Sequence, residues 1–288
     1  MNKHIPARLL PALLAALSTA CVGTTGSGLV DFEAFATGPA DASGAPGTLH
    51  DYTFTSPFSG YTITLHKATL QIGAVYLDAS PCNGGSGTPP CVNEQAATVA
   101  QVDGSAAGAF GVQTAGVLLD TLSPDAQPFA TGGSGIIQQA RSAEVWLMTN
   151  PMGESDAIDD ANLAPAVADI EGIAEKDGDT YTFKATVSIG QNRALPASNP
   201  ALPGESPLCD QRIVRPICLT PPIEPALGTS LHVGVDPKGW FNNVDFSRLG
   251  ASGGSYAIPD TNDDVTGLDL FKGLESSSGV YSFSFQVL

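Results

Sequence analysis

With a secretory leader set aside, three histidines remain in the chain, His50, His66 and His232, so imidazole nitrogen is scarce. Neutral imidazoles suit copper and zinc, whereas carboxylates suit calcium and magnesium. His66 follows the alternating apolar residues Tyr61, Ile63 and Leu65 on the polar face of one run. His232 stands the same way among Leu231, Val233 and Val235. A single exposed strand histidine is usually a solvated residue. If the strands bring all three to one face, they form a metal site with copper or zinc the natural guests. Trp146 and Met148 share one strand face, and Met152 follows, so a soft sulfur donor is within reach; residues of those types at that spacing also read as core.

Other constellations fail on context. Gly250-Ala251-Ser252-Gly253-Gly254 fits the nucleophile-elbow pattern, but an elbow joins a strand to a helix and needs a later histidine, and none follows His232. Asp260, Asn262, Asp263 and Asp264 offer hard oxygens for calcium. An EF-hand loop starting at Asp260 would need glycine and glutamate where Val265 and Phe271 stand, which leaves only a generic calcium loop. Carboxylate pairs for glycoside hydrolysis cannot be picked from 29 acids without geometry. No nucleophile–base set survives, so a non-enzymatic binding protein is expected. The alternative is a structural or protein-interaction module that uses the Pro-rich stretch 194–228 as its contact surface.

The N-terminus reads as an export signal. Lys3, His4 and Arg8 form a positive region, residues 9–17 an apolar one too short to span a bilayer, and Ser18-Thr19-Ala20 a small-residue cleavage site. Leu17-Ser18-Thr19-Ala20-Cys21 resembles a bacterial lipobox, which makes Cys21 the expected lipidation site and the cell envelope the expected location, outer membrane or periplasm. Cleavage by an ordinary signal peptidase, giving a soluble periplasmic or secreted protein, is the alternative. Residues 1–20 are then the signal peptide, 21–28 a Gly/Ser/Thr tether and 29–288 one domain.

Of five cysteines, setting Cys21 aside leaves Cys82, Cys91, Cys209 and Cys218 in two close pairs. In an oxidising compartment the default is two local disulfides, Cys82–Cys91 and Cys209–Cys218, although four cysteines allow three connectivities. Neither pair has the C-x-x-C spacing of a thiolate zinc site. The net charge of −17 repels nucleic acid and anionic lipid and is compatible with attraction of cations. Expected partners are therefore the membrane through the anchor and another envelope protein.

These residues need strands to position them. Alternation predicts strands at 29–36, 50–55, 59–80 with a bulge near Gly73, 96–102, 111–122, 143–148, 229–236 and 279–288. A hairpin is predicted at 166–174 and 180–189, across Lys176-Asp177-Gly178-Asp179. The last strand, with Tyr281, Phe283 and Phe285 on one face, is expected near the centre of the core. The segment 194–228 reads as an irregular connection, 240–249 as a turn with a short helix, 250–264 as loop and 269–274 as one helical turn. With 32 glycines and 22 prolines and no run of amphipathic helices, the fold class is all-β: a single antiparallel β-sandwich, Ig-like or Greek-key in style, with long loops.

Two stretches carry a family likeness. Gly60-Tyr61-Thr62-Ile63-Thr64-Leu65, followed by Lys67-Ala68-Thr69-Leu70-Gln71-Ile72-Gly73, resembles the early strands of the methanobactin-associated, MbnP-like copper-binding envelope proteins. His232-Val233-Gly234-Val235-Asp236-Pro237, running into Trp240-Phe241-Asn242-Asn243-Val244-Asp245-Phe246, is similar to their closing region. The resemblance implies an exported, β-rich protein that binds copper through histidine. Some members carry a tryptophan oxidised to kynurenine beside the metal; here no tryptophan stands two residues from a histidine.

Overall fold

The computed structural model describes residues 28–79, 109–113, 116–147, 166–193, 211–249 and 254–288. Outside them lie the leader, Cys21, Cys82, Cys91, Cys209, Met148, Met152, Gly250 to Gly253, and the strand expected at 96–102.

The long alternating run forms the organising strand, β3 (Thr62–Asp78), preceded by β1 (Leu29–Thr37) and β2 (Tyr52–Thr55). After β3 come β4 (Ala109–Gln113), β5 (Val117–Asp120), β6 (Gln127–Pro128), β7 (Gly133–Ile136) and β8 (Ala140–Leu147). The predicted hairpin is β9 (Ala166–Lys176) and β10 (Asp179–Ser188). Its two-residue turn places Asp177 at φ 54° and Gly178 at φ 92°, the left-handed pair that matches strand twist. The chain then forms β11 (Ile213–Ile223), β12 (Thr229–Val235), β13 (Ser255–Ile258), helix α1 (Val265–Leu274) and β14 (Tyr281–Val287).

β3 reaches so far because its neighbours change along it. Its first half pairs with β2 on one side and β9 on the other, and its second half with β5, β8 and β4. Its register against β8 slips between Ile72 and Val75, where Gly73 predicts a bulge. A second slip, against β9 between Leu65 and Lys67, leaves His66 as the extra residue.

The larger sheet runs β13-β10-β9-β3 and continues through β4 and β7 to the first half of β1. The second half of β1 belongs to a smaller sheet, between β6 and β12, with β14 beyond β12. The result is an all-β sandwich, mixed rather than purely antiparallel: β1 runs parallel to β12, and β10 parallel to β13. Both exceptions arise where the connection is longer than a hairpin and returns the chain in the same direction.

Other expectations are corrected. Residues 194–228 are not all irregular, because 213–223 form β11 against β8, with register slips that accommodate Pro216, Pro221 and Pro222. β13 lies within the expected loop 250–264, and α1 is a full ten-residue helix. Asp264 caps that helix by accepting from the Gly267 amide. β14 ends the strand order instead of lying at the core's centre, and Phe283 and Phe285 are only half-buried.

The aromatic centre lies elsewhere. Trp240, Phe241 and Phe246, on two 3-10 turns (Pro237–Phe241 and Phe246–Arg248), and Val244 between the turns are fully buried. Phe246 packs 4.7 Å from Phe183 and 5.1 Å from Tyr61, and Phe241 lies 6.0 Å from Phe54. The Trp240–Phe246 half of the second quoted stretch is therefore a core-forming segment laid against the larger sheet.

Candidate ligand-binding site

The histidines do not converge. His50 precedes β2 with both ring edges occupied: Nδ1 lies 2.7 Å from the Thr48 carbonyl and Nε2 2.6 Å from the Leu122 carbonyl. The ring also fills the space over Gly44, where a Cβ would meet it at 1.9 Å. His66 sits in the β3 bulge on the larger sheet, its Nδ1 2.6 Å from Asp51 Oδ1, and both side chains are largely exposed. His232 belongs to the smaller sheet. Each imidazole thus has its own local partner, and among the described residues no three His, Cys, Asp or Glu side chains gather as a metal site. The expectation of one site from His50, His66 and His232 is corrected on that geometry: alternation predicts a polar face but not which sheet carries it.

His232 alone lines a large concavity. β12 places it between Phe35 of β1 and Ser284 of β14. The imidazole stacks on Phe35 at 5.4 Å, and Nε2 lies 3.0 Å from Ser230 Oγ, which fixes the ring's orientation. Burial holds its pKa below the ordinary value, so the neutral form prevails at neutral pH. The groove, about 1,040 Å³, runs between the 37–41 turn and the outer face of β12 and β14; Asp41, Asp236, Ser282, Ser284 and Gln286 share its lining with His232. At Gly234 a Cβ would meet Ser282 Oγ at 2.4 Å, so glycine keeps the floor open between His232 and Asp236.

One end of this groove is electrostatically settled. Asp41 accepts from Lys238 Nζ at 2.8 Å and from Tyr52 Oη at 2.8 Å, and these bonds hold its carboxyl below the usual range. Asp236 caps the first 3-10 turn through the Lys238 amide, while burial pushes its own pKa up. His232 is thus the imidazole of a lining that combines carboxylates, hydroxyls and an amide with apolar side chains such as Pro124, Val280 and Phe283.

A second, smaller hollow of about 500 Å³ opens beside the β9–β10 turn, between Phe58, Tyr61, Lys176, Asp177, Tyr181 and Asn243. Its floor is saturated: Tyr61 Oη donates to Asp245 Oδ1 at 2.9 Å, and the Ser247 amide donates to both. Lys176 lies 5.0 Å over the Tyr61 ring and donates to the Ser59 carbonyl.

Of the residues that offered a generic calcium loop, Asp260 and Asn262 are organised instead around a cation of the protein, and Asp264 caps α1. Asp260 pairs with Arg193 Nη2, and Asn262 Oδ1 accepts from Nη1 at 3.2 Å. The guanidinium lies 4.3 Å over Phe271, and the side chain is fully buried. Arg193 falls at the start of a stretch read as irregular; its isolation among uncharged neighbours in a chain of few cations was the one available signal.

Of the remaining site residues, Trp146 donates to Glu144 Oε1 at 2.6 Å and lies buried 5.8 Å from Tyr76. Cys218 is disulfide-bonded on β11; the other expected half-cystines, and the lipidation residue Cys21, lie outside the described residues. No described helix is long and apolar enough to cross a membrane. The chain matches no protein-family model, no curated protein and no solved structure.

Proposed function

We propose that the protein is an exported, non-enzymatic binding protein of the cell envelope, held to the membrane through a lipidated Cys21, and that its ligand enters the His232 groove. The observation that carries this reading is a neutral, oriented imidazole lining an open concavity of about 1,040 Å³. Such concave sites with a few convergent polar groups are where small ligands bind. Two local disulfides, Cys82–Cys91 and Cys209–Cys218, belong to the same exported reading.

Copper is among the ions that suit a neutral imidazole, with zinc, iron and nickel, and is the guest proposed here. The described residues do not offer three donors for it, so a copper ion here rests on His232 together with donors brought by its carrier or partner. Copper titration followed by isothermal calorimetry tests this in wild type and in His50→Ala, His66→Ala and His232→Ala. Binding that disappears only in His232→Ala supports the reading; equal binding in all four proteins removes His232 from it.

The groove also favours a protein-interaction reading, because its volume far exceeds an ion's and β14 presents Ser282, Ser284 and Gln286 along it. In that case His232→Ala weakens capture of an envelope partner in metal-free buffer, and copper changes nothing.

A further inference from the structure

Of nine exposed large apolar side chains among the described residues, five gather at one end of the sandwich, the others being Leu49, Phe58, Leu118 and Val265. Leu29 is 61% exposed, Leu227 79%, Val287 86% and Leu288 68%, and Ile137 adds to them at 41%. The topology brings them together. Leu29 opens β1 against Ile136, and the Ile137 amide donates to the Gly28 carbonyl. β12 runs parallel to β1 with Ser230 opposite Glu33, so Leu227, in the turn just before β12, falls toward the start of β1. Val287 pairs with Thr229, and the Leu288 amide donates to the Gly228 carbonyl. A shallow hollow lined by Asp31, Phe32, Gly228 and Leu288 joins the β1 side to the β12–β14 side.

This is also the end at which the chain enters the domain. Seven peptide steps separate Cys21 from Gly28, a span of at most about 25 Å fully extended and about 15 Å as a Gly/Ser-type coil. A lipid on Cys21 therefore keeps the start of β1 close to the bilayer and holds the apolar rim at high effective concentration over it. Single exposed leucines are ordinary, but five converging on the tethered end are the arrangement a membrane-seated surface has. Asp31 and Glu33 flank the rim, so the lipid surface it fits is zwitterionic.

We propose that the rim formed by Leu29, Ile137, Leu227, Val287 and Leu288 seats on a zwitterionic bilayer surface, so that the sandwich stands end-on and the β9–β10 turn and its hollow face away from that surface. This rests on the lipid-anchor reading of Cys21. The test uses the full chain, metabolically labelled with palmitate and reconstituted into phosphatidylcholine vesicles, with hydrogen–deuterium exchange read by mass spectrometry. Exchange at 28–31, 227–229 and 286–288 should slow by about threefold or more against the same protein in detergent, with no change at Asp177 and Gly178. The triple variant Leu227→Ser, Val287→Ser, Leu288→Ser should stay labelled and float with the vesicles, yet lose that protection. A labelled, floating wild type with unchanged exchange overturns the seating and leaves the anchor standing. Protection that appears without vesicles as protein concentration rises assigns the rim to a second copy instead. An unlabelled wild type overturns the anchor, and the seating with it.

Discussion

Arg193 is drawn fully out of bulk water and His232 partly so, and the two are treated in opposite ways. Arg193 is fully buried, and each of its donor groups has a partner: Nε the Ser188 carbonyl, Nη1 Asn262 and Nη2 Asp260, with Phe271 beneath the plane. His232 has one nitrogen fixed by Ser230, while the ring borders an open groove. The first arrangement is saturated and closed, so its energy goes into joining β10 to the 260–264 segment and α1. The second is half-satisfied and open, which is the condition for binding something else. Polarity and scarcity in the sequence are common to both; saturation separates them.

The largest effect is expected at the saturated end of that contrast. Asp260 also accepts the Ser188 amide at 3.0 Å and the Ser188 hydroxyl, so Asp260→Ala strands a buried guanidinium and two further donors. Breaking a buried pair from one side costs about 3–5 kcal/mol. Urea denaturation should show a loss of that order, whereas Arg193→Met, which removes the charge and keeps the bulk, should cost much less. Equal losses in the two variants would mean that the stranded charge is not the cause.

Glu275 closes α1 beside the same cation. Burial pushes its pKa up to about 8, against the pull of Arg193 and Lys272. The folded protein therefore binds a proton more tightly than the unfolded chain. This group's contribution is fully present below its ordinary value of 4.5 and is lost as pH rises through about 8. Denaturant midpoints should fall across that window in wild type and fall less in Glu275→Gln. Parallel pH profiles for the two proteins would place Glu275 in solvent.

A smaller effect is expected from His66 and Asp51, whose contact is largely exposed. Asp51→Ala should cost less than about 1 kcal/mol, read as a shift of a degree or two in thermal midpoint. A larger loss would make the bulge at His66 depend on that contact.

What the sequence made legible follows the range of the interactions involved. β3 and the β9–β10 hairpin were readable because alternation and an Asp-Gly turn are local signals. β11 was hidden because its three prolines argue against a strand, and only pairing with β8 across register slips makes room for them. The parallel pairing of β1 with β12 joins residues about two hundred positions apart and leaves no local trace. The candidate site divides along the same line. That His66 and His232 are scarce and stand on polar strand faces can be read from the chain. That they belong to different sheets, and that Asp260 and Asn262 meet Arg193, are tertiary facts. Asp260 and Asn262 stand out in the chain as hard oxygen donors, but nothing local indicates that their partner is Arg193.

Only a small effect on stability should come from the residue with the most to do in binding. His232 makes one hydrogen bond and one ring contact, so His232→Ala should cost about 1 kcal/mol, well below Asp260→Ala. Its pH dependence should run opposite to that of Glu275. Because burial lowers the folded pKa of His232, its contribution is present above the ordinary value of 6.5 and is lost as pH falls toward the folded value. Ligand affinity at the groove should fall over the same acid range, since protonation removes the lone pair a metal or donor group would use. In His232→Ala, residual affinity should be insensitive to pH there. A variant that destabilises the fold as severely as Asp260→Ala would make His232 a structural residue, and the contrast between a closed knot and an open groove would no longer hold.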